Sequence, residues 1–250
     1  MSDSLANAVS QELADVARIW PDCDTTARTV LRGLADEHGF TRPVGHITKF
    51  EGDDATAIYL VKSGWLLVSK SLEDGQRQII DIVLAGQFLD PGSADCSVSA
   101  FEVQALTDIE VAVIPRDAWE RAAQKNAELH RLFHADLRSA LSRMSERMLR
   151  LGKGTAENII AYALFELCLR STRKNMVERV MFHIPMTQQQ LGDFCGLSAV
   201  HICRTLRRFS RIGLLDVTDH MNIVVRDVDS LAEIAEIDPA DLRQEIVPAI

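Results

Sequence analysis

The sequence predicts an α+β chain: an antiparallel β-roll of the jelly-roll kind, then a long central helix, then a C-terminal winged helix-turn-helix. Three observations predict it. Short apolar runs separated by turn signals fill Val44–Pro115, apolar residues recur every three or four positions after Pro115, and two capped helices with a glycine between them precede a hairpin near the C-terminus.

Ahead of the roll, Ala27, Val30, Leu31 and Leu34 recur at helical spacing and predict a small leading helix within Asp24–His38. The strand-like runs are Ala57–Val61, Trp65–Ser69, Gln78–Val83 and Glu110–Ile114. Glu51-Gly52-Asp53, Ser63-Gly64, Glu73-Asp74-Gly75-Gln76, Ala85-Gly86 and Asp90-Pro91-Gly92 supply the turns. Asp117–Ala123 reads as a short helix, and a long one follows from Ala127 to Leu151. Its apolar positions, Leu129, Phe133, Leu137, Leu141, Met144, Met148 and Leu151, form a narrow stripe close to a coiled-coil seam. Arg131, Arg138, Arg143, Glu146, Arg147 and Arg150 are expected on its other faces. Such a helix spans roughly 37 Å, longer than a small domain needs, so the stripe from Leu129 to Met148 is expected to pair with a second copy.

Lys153-Gly154 breaks the helix and Thr155 can cap the next. Glu157–Leu169 then reads as amphipathic, with Ile159, Ile160, Ala163, Leu164 and Leu167 inward; Arg173–Asn175 is a loop and Val180–Ile184 a short strand. Four regions follow: 1–125 roll with leading helix, 126–152 dimerisation helix, 153–236 winged helix and 237–250 acidic tail.

Thr187 followed three residues later by Gln190 is a capping box, in which each side chain satisfies the other's free backbone N–H. The helix it opens ends at Gly196, Leu197 plugs the core, and Ser198 caps a second helix running from Ala199 to about Ser210. Ile202, Leu206 and Phe209 form its buried stripe, with Val200 the less clear member. Arg204, Arg207, Arg208 and Arg211 make it cationic, and no acidic residue lies between Asp193 and Asp216. Gly213 ends the helix; Leu214–Val217, the turn Thr218–Met221 and Ile223–Val225 make a hairpin. Two short helices about a glycine turn, the second cationic, are the helix-turn-helix pattern by which a helix enters a DNA groove.

The net charge of −9 is unevenly placed. Residues 1–150 carry 16 basic and 23 acidic side chains (−7), 151–216 carry 9 and 5 (+4), and 217–250 carry 2 and 8 (−6). Positive charge is thus gathered where the helix-turn-helix lies, and a polyanion responds to local potential. The opening Met1–Ser10 lacks the basic-then-apolar form of a signal peptide, and no apolar run reaches 18 residues, so a cytoplasmic location without a membrane partner is expected. The five cysteines, Cys23, Cys96, Cys168, Cys195 and Cys203, form no C-x-x-C pair and read as buried thiols. Oxidation of Cys195 or Cys203, inside the helix-turn-helix, is the alternative.

On these residues the chain resembles the cyclic-AMP-receptor/fumarate-nitrate-regulator (Crp/Fnr) family over nearly its whole length. Phe50-Glu51-Gly52-Asp53, Tyr59-Leu60-Val61-Lys62-Ser63-Gly64, Glu73-Asp74-Gly75 and Leu84-Ala85-Gly86-Gln87-Phe88 look like turns of its cyclic-nucleotide-binding-type β-roll. Thr187-Gln188-Gln189-Gln190-Leu191 and Gly196-Leu197-Ser198 look like its DNA-binding signature. The resemblance implies a sequence-specific transcription regulator, a homodimer joined by its long helices, acting on a pseudo-palindromic duplex and on RNA polymerase, which exposed Glu73-Asp74 could contact. It implies phosphate contacts from Thr187, Gln189 and Ser198, a backbone-facing place for His201, and guanine reading by Arg204. Gln188, Ala199, Val200, Arg207 and Arg208 complete the expected DNA-facing set.

The chain also departs from the family. Where cyclic-nucleotide binders carry a Gly-Glu-Leu segment and an Arg-Ser pair, it has Leu89-Asp90-Pro91-Gly92 and Val98-Ser99-Ala100, so Leu89, Asp90, Pro91, Ser99 and Ala100 are expected to form a degenerate effector pocket without affinity for cyclic AMP. Ala199-Val200 replaces the usual polar pair opening the recognition helix, so the operator is expected to differ from the well-known half-sites. Near the N-terminus only Cys23 stands where iron–sulfur members have a cysteine cluster. His130 and His134 have metal-compatible i, i+4 spacing, yet no carboxylate or cysteine stands out as a partner, so solvent-facing or interface histidines are expected and no metal or cofactor is assigned. A jelly-roll enzyme of the cupin type would need clustered histidines, and the roll offers only His46. No nucleophile–base set stands out, so no enzyme is expected. The other reading is a small-ligand regulatory module that does not touch DNA, which the substitutions at Pro91 and Ser99 disfavour.

Overall fold

The computed structural model describes residues 23–93, 95, 97–172, 180–218 and 221–248. Cys96, the loop expected at Arg173–Asn175 and the tip of the hairpin turn lie outside them. The chain divides into two compact units: the described residues up to Arg138 except Gln76–Ile79, and Gln76–Ile79 with Ser139 onward. The boundary falls inside the long helix, so the expected stand-alone segment 126–152 is shared between the units rather than separate.

The first unit opens with α1 (Thr25–Glu37). Asp24 caps it, accepting from the backbone N–H of Thr26 at 2.8 Å and of Ala27 at 3.3 Å, and Ala27, Leu31 and Ala35 are wholly buried. Eight strands follow: β1 (Gly39–Arg42), β2 (Ile47–Lys49), β3 (Ala57–Ser63), β4 (Trp65–Ser71), β5 (Arg77–Leu84), β6 (Phe88–Leu89), β7 (Glu102–Ala105) and β8 (Ile109–Pro115). They form two four-stranded sheets, ordered β1-β8-β3-β6 and β2-β7-β4-β5, with antiparallel pairing throughout the registers β1–β8, β3–β8, β3–β6, β2–β7 and β4–β7.

Strand side chains alternate between faces, and here both faces of β3 are covered. Tyr59 and Val61 join Leu66, Val68, Val103 and Val111 inside the roll, while Ile58 and Leu60 face a second core with Leu31, Phe88, Ile114 and Trp119. This is why the run Ala57–Val61 is apolar without a polar alternation. Gly64, between β3 and β4, has φ +81°, and a Cβ there would lie 2.3 Å from the Asp108 carbonyl oxygen, so the turn admits only glycine.

Two helices finish the unit: α2 (Arg116–Lys125) and the start of α3 (Ala127–Lys153). Here the expected pairing stripe is corrected. Leu129 is 0% and Phe133 7% exposed; both belong to the second core, and Phe133 packs with Phe88 and Trp119 at ring-centroid separations of 5.6 and 5.4 Å. The roll takes these two side chains for itself because its outer sheet needs a cover. Leu137, Leu141 and Met148 are exposed at 37%, 66% and 71%, and Met144 is partly so.

In the second unit α4 (Ala156–Thr172) is buried all round, not amphipathic as expected: Ile160 through Leu169 are all enclosed, Glu166 among them. Thr155 caps it through the backbone N–H of Asn158 at 3.2 Å. Strand β9 (Val180–His183), helices α5 (Gln188–Cys195) and α6 (Ala199–Arg211), strands β10 (Leu215–Thr218) and β11 (Asn222–Val225), and helices α7 (Val228–Ala235) and α8 (Pro239–Ile246) complete it. The hairpin β10–β11 takes β9 as a third, antiparallel strand on β11. The expected acidic tail 237–250 contains a helix: Asp238 caps α8 with Pro239 at its start, and Leu242 and Ile246 are buried. Counting its charges hid an apolar pair four residues apart behind an Asp-Pro start signal.

Candidate nucleic-acid interface

The capping box expected at Thr187 is present in both directions. The Gln190 backbone N–H donates to Thr187 Oγ1 at 3.1 Å, and the Thr187 backbone N–H donates to Gln190 Oε1 at 2.8 Å. Gln189 Nε2 donates to Asp193 Oδ1 at 2.8 Å along the same helix. Gly196 closes α5 at φ +64°, and Ser198 caps α6, accepting the His201 backbone N–H at 3.4 Å, with its Oγ 2.9 Å from His201 Nδ1. Sequence reasoning passed over Gly192. A Cβ there would sit 2.4 Å from the Leu197 carbonyl oxygen, so its bare backbone sets how closely the turn folds under α5.

Helix α6 divides sharply. Ile202, Thr205, Leu206 and Phe209 are buried; Val200, His201, Arg204, Arg207, Arg208 and Arg211 are exposed on the other side. Val200, at 65% exposure, belongs to the outward face, and Ala199 beside it is partly exposed. Arg208 Nη1 lies 2.6 Å from Glu157 Oε1 of α4, so this arginine ties α6 to its own unit. Arg204, Arg207 and Arg211 have no ion pair among the described residues. Gln188 of α5 lines a shallow hollow with Arg204 and Arg207, and Arg207 and Arg211 line another with Val217 and Thr218 of the hairpin. Thr187, Gln188, Gln189 and Ser198 are all exposed beside this surface. After α6 the N–H of Gly213 donates to the Ser210 carbonyl and that of Leu214 to the Phe209 carbonyl, a Schellman stop that starts β10 at once.

Beneath the surface lies a cluster that composition gave no hint of. Glu166, wholly buried, is approached by Arg170 at 2.8 Å, Arg147 at 3.3 Å and Arg143 at 4.0 Å. Arg147 also stacks over the Phe194 ring of α5 at 4.7 Å, and Arg150 over Tyr162 at 4.0 Å while donating to the Ala235 carbonyl. Arg143, Arg147 and Arg150, expected on the faces of the long helix outside its apolar stripe, are at most 7% exposed.

The stretch expected to form a degenerate effector pocket is tightly folded on itself. Ser99 is 2% exposed and its hydroxyl donates to the Phe101 carbonyl at 2.7 Å; the Ala100 N–H donates to the buried Pro91 carbonyl at 2.7 Å. Two cations reach this stretch, each held by a carboxylate. Arg116 binds both oxygens of Asp90 at 2.7 and 3.0 Å, and Lys70 donates to the Ala100 carbonyl while lying 2.7 Å from Glu51. Leu89 of β6 pairs with Tyr59. Ser93 and Ser97 hydroxyls both donate to Asp95 at 2.7 Å, which holds its carboxyl down at about 2. Of the cysteines, Cys23, Cys168 and Cys195 are buried and Cys203 is half-buried on α6; burial pushes the Cys195 thiol up to about 12.

Residues 43–126 match the family described as the cyclic nucleotide-binding domain, and residues 160–234 match the Crp-like helix-turn-helix domain. The chain is 27% identical to a probable transcriptional activator of Rhizobium leguminosarum bv. viciae, over 84% of this chain and 86% of the relative. It is also 27% identical to the transcriptional activator protein FnrL of Cereibacter sphaeroides, over 76% and 77%. Among solved structures, FixK2 from Bradyrhizobium japonicum matches at a TM-score of 0.70 and 26% identity, covering 80% of this chain and 98% of that one. No helix among the described residues is long and apolar enough to cross a membrane.

Proposed function

The chain belongs to the Crp/Fnr family of transcription regulators, and from that premise we propose that it acts as a homodimer setting α6 of each copy into one of two successive major grooves of a pseudo-palindromic operator. The observation that carries this reading is the outward face of α6, where Arg204, Arg207 and Arg211 stand without carboxylate partners among the described residues beside the exposed caps of two helices. Thr187, Gln189 and Ser198 hold phosphates and fix the register; Arg204 reads guanine through two parallel hydrogen bonds. Ala199 and Val200 cannot accept from cytosine and instead meet thymine methyl groups. The exposed apolar row Leu137, Leu141 and Met148 is the surface on which the copies pair.

Ser99 turned to its own backbone, with Lys70 and Arg116 already matched to carboxylates, supports a regulator that cyclic AMP does not control. Micromolar binding of cyclic AMP by calorimetry would overturn this part. Relatives named as activators support activation through RNA polymerase in the cytoplasm, by binding and not by catalysis. Selection of bound sequences from random duplex DNA, with and without reductant, tests the main reading. The expected outcome is a two-fold-symmetric site with half-sites one helical turn apart; a chain that ignores duplex DNA even at low ionic strength ends the proposal.

A further inference from the structure

Two histidines of α3 extend the row on which the copies pair. At 3.6 residues per turn, His130, His134, Leu137, Leu141 and Met148 fall within about 60° of one another around the helix, and all five are exposed. Leu129, Leu132 and Phe133 fall outside this arc and belong to the chain's own core. The two imidazoles stand one turn apart with ring centroids 6.0 Å from each other and planes only 11° from parallel. Phe133, fixed in the roll core, touches the His134 ring at 5.8 Å, so the backbone carrying the pair is firmly seated. Histidines at i and i+4 on one helical face are the spacing at which a helix offers two nitrogens to one divalent metal. Within one copy the ligand set stops there: no group of three His, Cys, Asp or Glu among the described residues could hold a metal ion. The nearby Glu128 carboxylate is bound by Arg131 through two hydrogen bonds.

We propose that His130 and His134, together with the partner's His130 and the partner's His134, form a four-imidazole site for Zn²⁺ across the dyad of paired α3 helices, with one ion per dimer. This rests on the dimer reading above. When parallel helices pair in register, each seam position meets its own counterpart, so two ligands per copy become four, the number that a tetrahedral zinc site takes. Imidazole suits zinc, cobalt, nickel and copper ions, and each ligating ring is neutral. The metal then links the two copies at the end of the seam nearest the rolls, where apolar side chains give way to histidine.

The test uses the full chain, stripped with chelator and titrated with Zn²⁺ by calorimetry and with Co²⁺ by visible absorption, beside sedimentation equilibrium. The expected result is one metal per two chains, tetrahedral cobalt bands, and a dimer dissociation constant lowered about 100-fold when free zinc is about 100 times its Kd. His130→Ala and His134→Ala each remove the bands and the zinc-dependent tightening, while the metal-free dimer, held by Leu137, Leu141 and Met148, keeps its strength. One metal per chain, or unchanged binding in the double variant, overturns the site. A chain that is dimeric yet takes no zinc overturns the metal site and leaves the dimer standing; a chain monomeric with and without zinc removes both.

Discussion

Arg204 and Arg208 stand one turn apart on α6 and have different surroundings: the first has no carboxylate partner among the described residues, the second is held by Glu157. Their substitutions therefore separate the proposed recognition role of Arg204 from the support that Arg208 gives α6. Arg204→Ala is expected to weaken the cognate duplex by about 1–3 kcal/mol and to relax one base position, read by titrating a set of singly substituted operators. Equal loss on every duplex would reassign Arg204 to phosphate contact. Arg208→Ala should leave the base preference intact. The cysteines divide in the same manner. With its thiol pushed up to about 12, Cys195 holds almost no thiolate at pH 8, whereas Cys203 is half-buried on the outward side. Thiol titration of the native chain at pH 8 should therefore label Cys203 and reach Cys195 only after denaturant is added. Labelling of native Cys195 at a comparable rate would mean that α5 opens readily.

At the level of elements, local signals are legible in the sequence and shared burial is not. Thr187, Gln190, Gly196, Ser198 and Gly213 each act within a few residues of themselves, so the two helices and their stops can be placed from the local sequence alone. The stripe of α3 reads as one surface, but Leu129 and Phe133 serve the roll, because a period of three and four does not say which neighbour covers it. Arg143, Arg147 and Arg150 read only as residues outside the apolar stripe, and only the fold reveals that Glu166 lies against Arg143 and Arg147. Two substitutions probe what is hidden. Glu166→Gln removes the carboxylate that three guanidinium groups share and should cost about 3–5 kcal/mol of stability in urea denaturation. A loss under about 1 kcal/mol would show that the arginines are satisfied elsewhere. Gly192→Ala drives a methyl into the Leu197 carbonyl, so either the turn between α5 and α6 shifts or the unit loses about 1–3 kcal/mol. DNA affinity should fall further than stability does, since in the proposed docking the spacing of the two helices sets the fit to the groove. An alanine variant with wild-type melting and binding would mean the turn yields freely.

Across the whole molecule, the charge distribution sets how binding responds to salt. The chain is acidic overall at −9, yet residues 151–216 carry +4, so a duplex meets a basic patch on a molecule that otherwise repels it. Local contacts then dominate, and each phosphate neutralised releases counterions, giving a slope of log K against log salt near about −0.9 per contact. Arg207 and Arg211 line the hollow between α6 and the hairpin, and in the proposed docking they meet the backbone flanking the groove and not base edges. In a dimer each is present twice, so Arg207→Ala should make the slope shallower by about 2, at nearly the same loss on cognate and unrelated duplexes. Leu141→Glu puts like charges against each other on the proposed pairing row and should yield monomers by sedimentation, with a slope for Arg207→Ala that changes by only about 1. That halving ties the count of phosphate contacts to the count of chains. If the slope changed equally in the paired and unpaired proteins, the two recognition helices would not be meeting the same duplex.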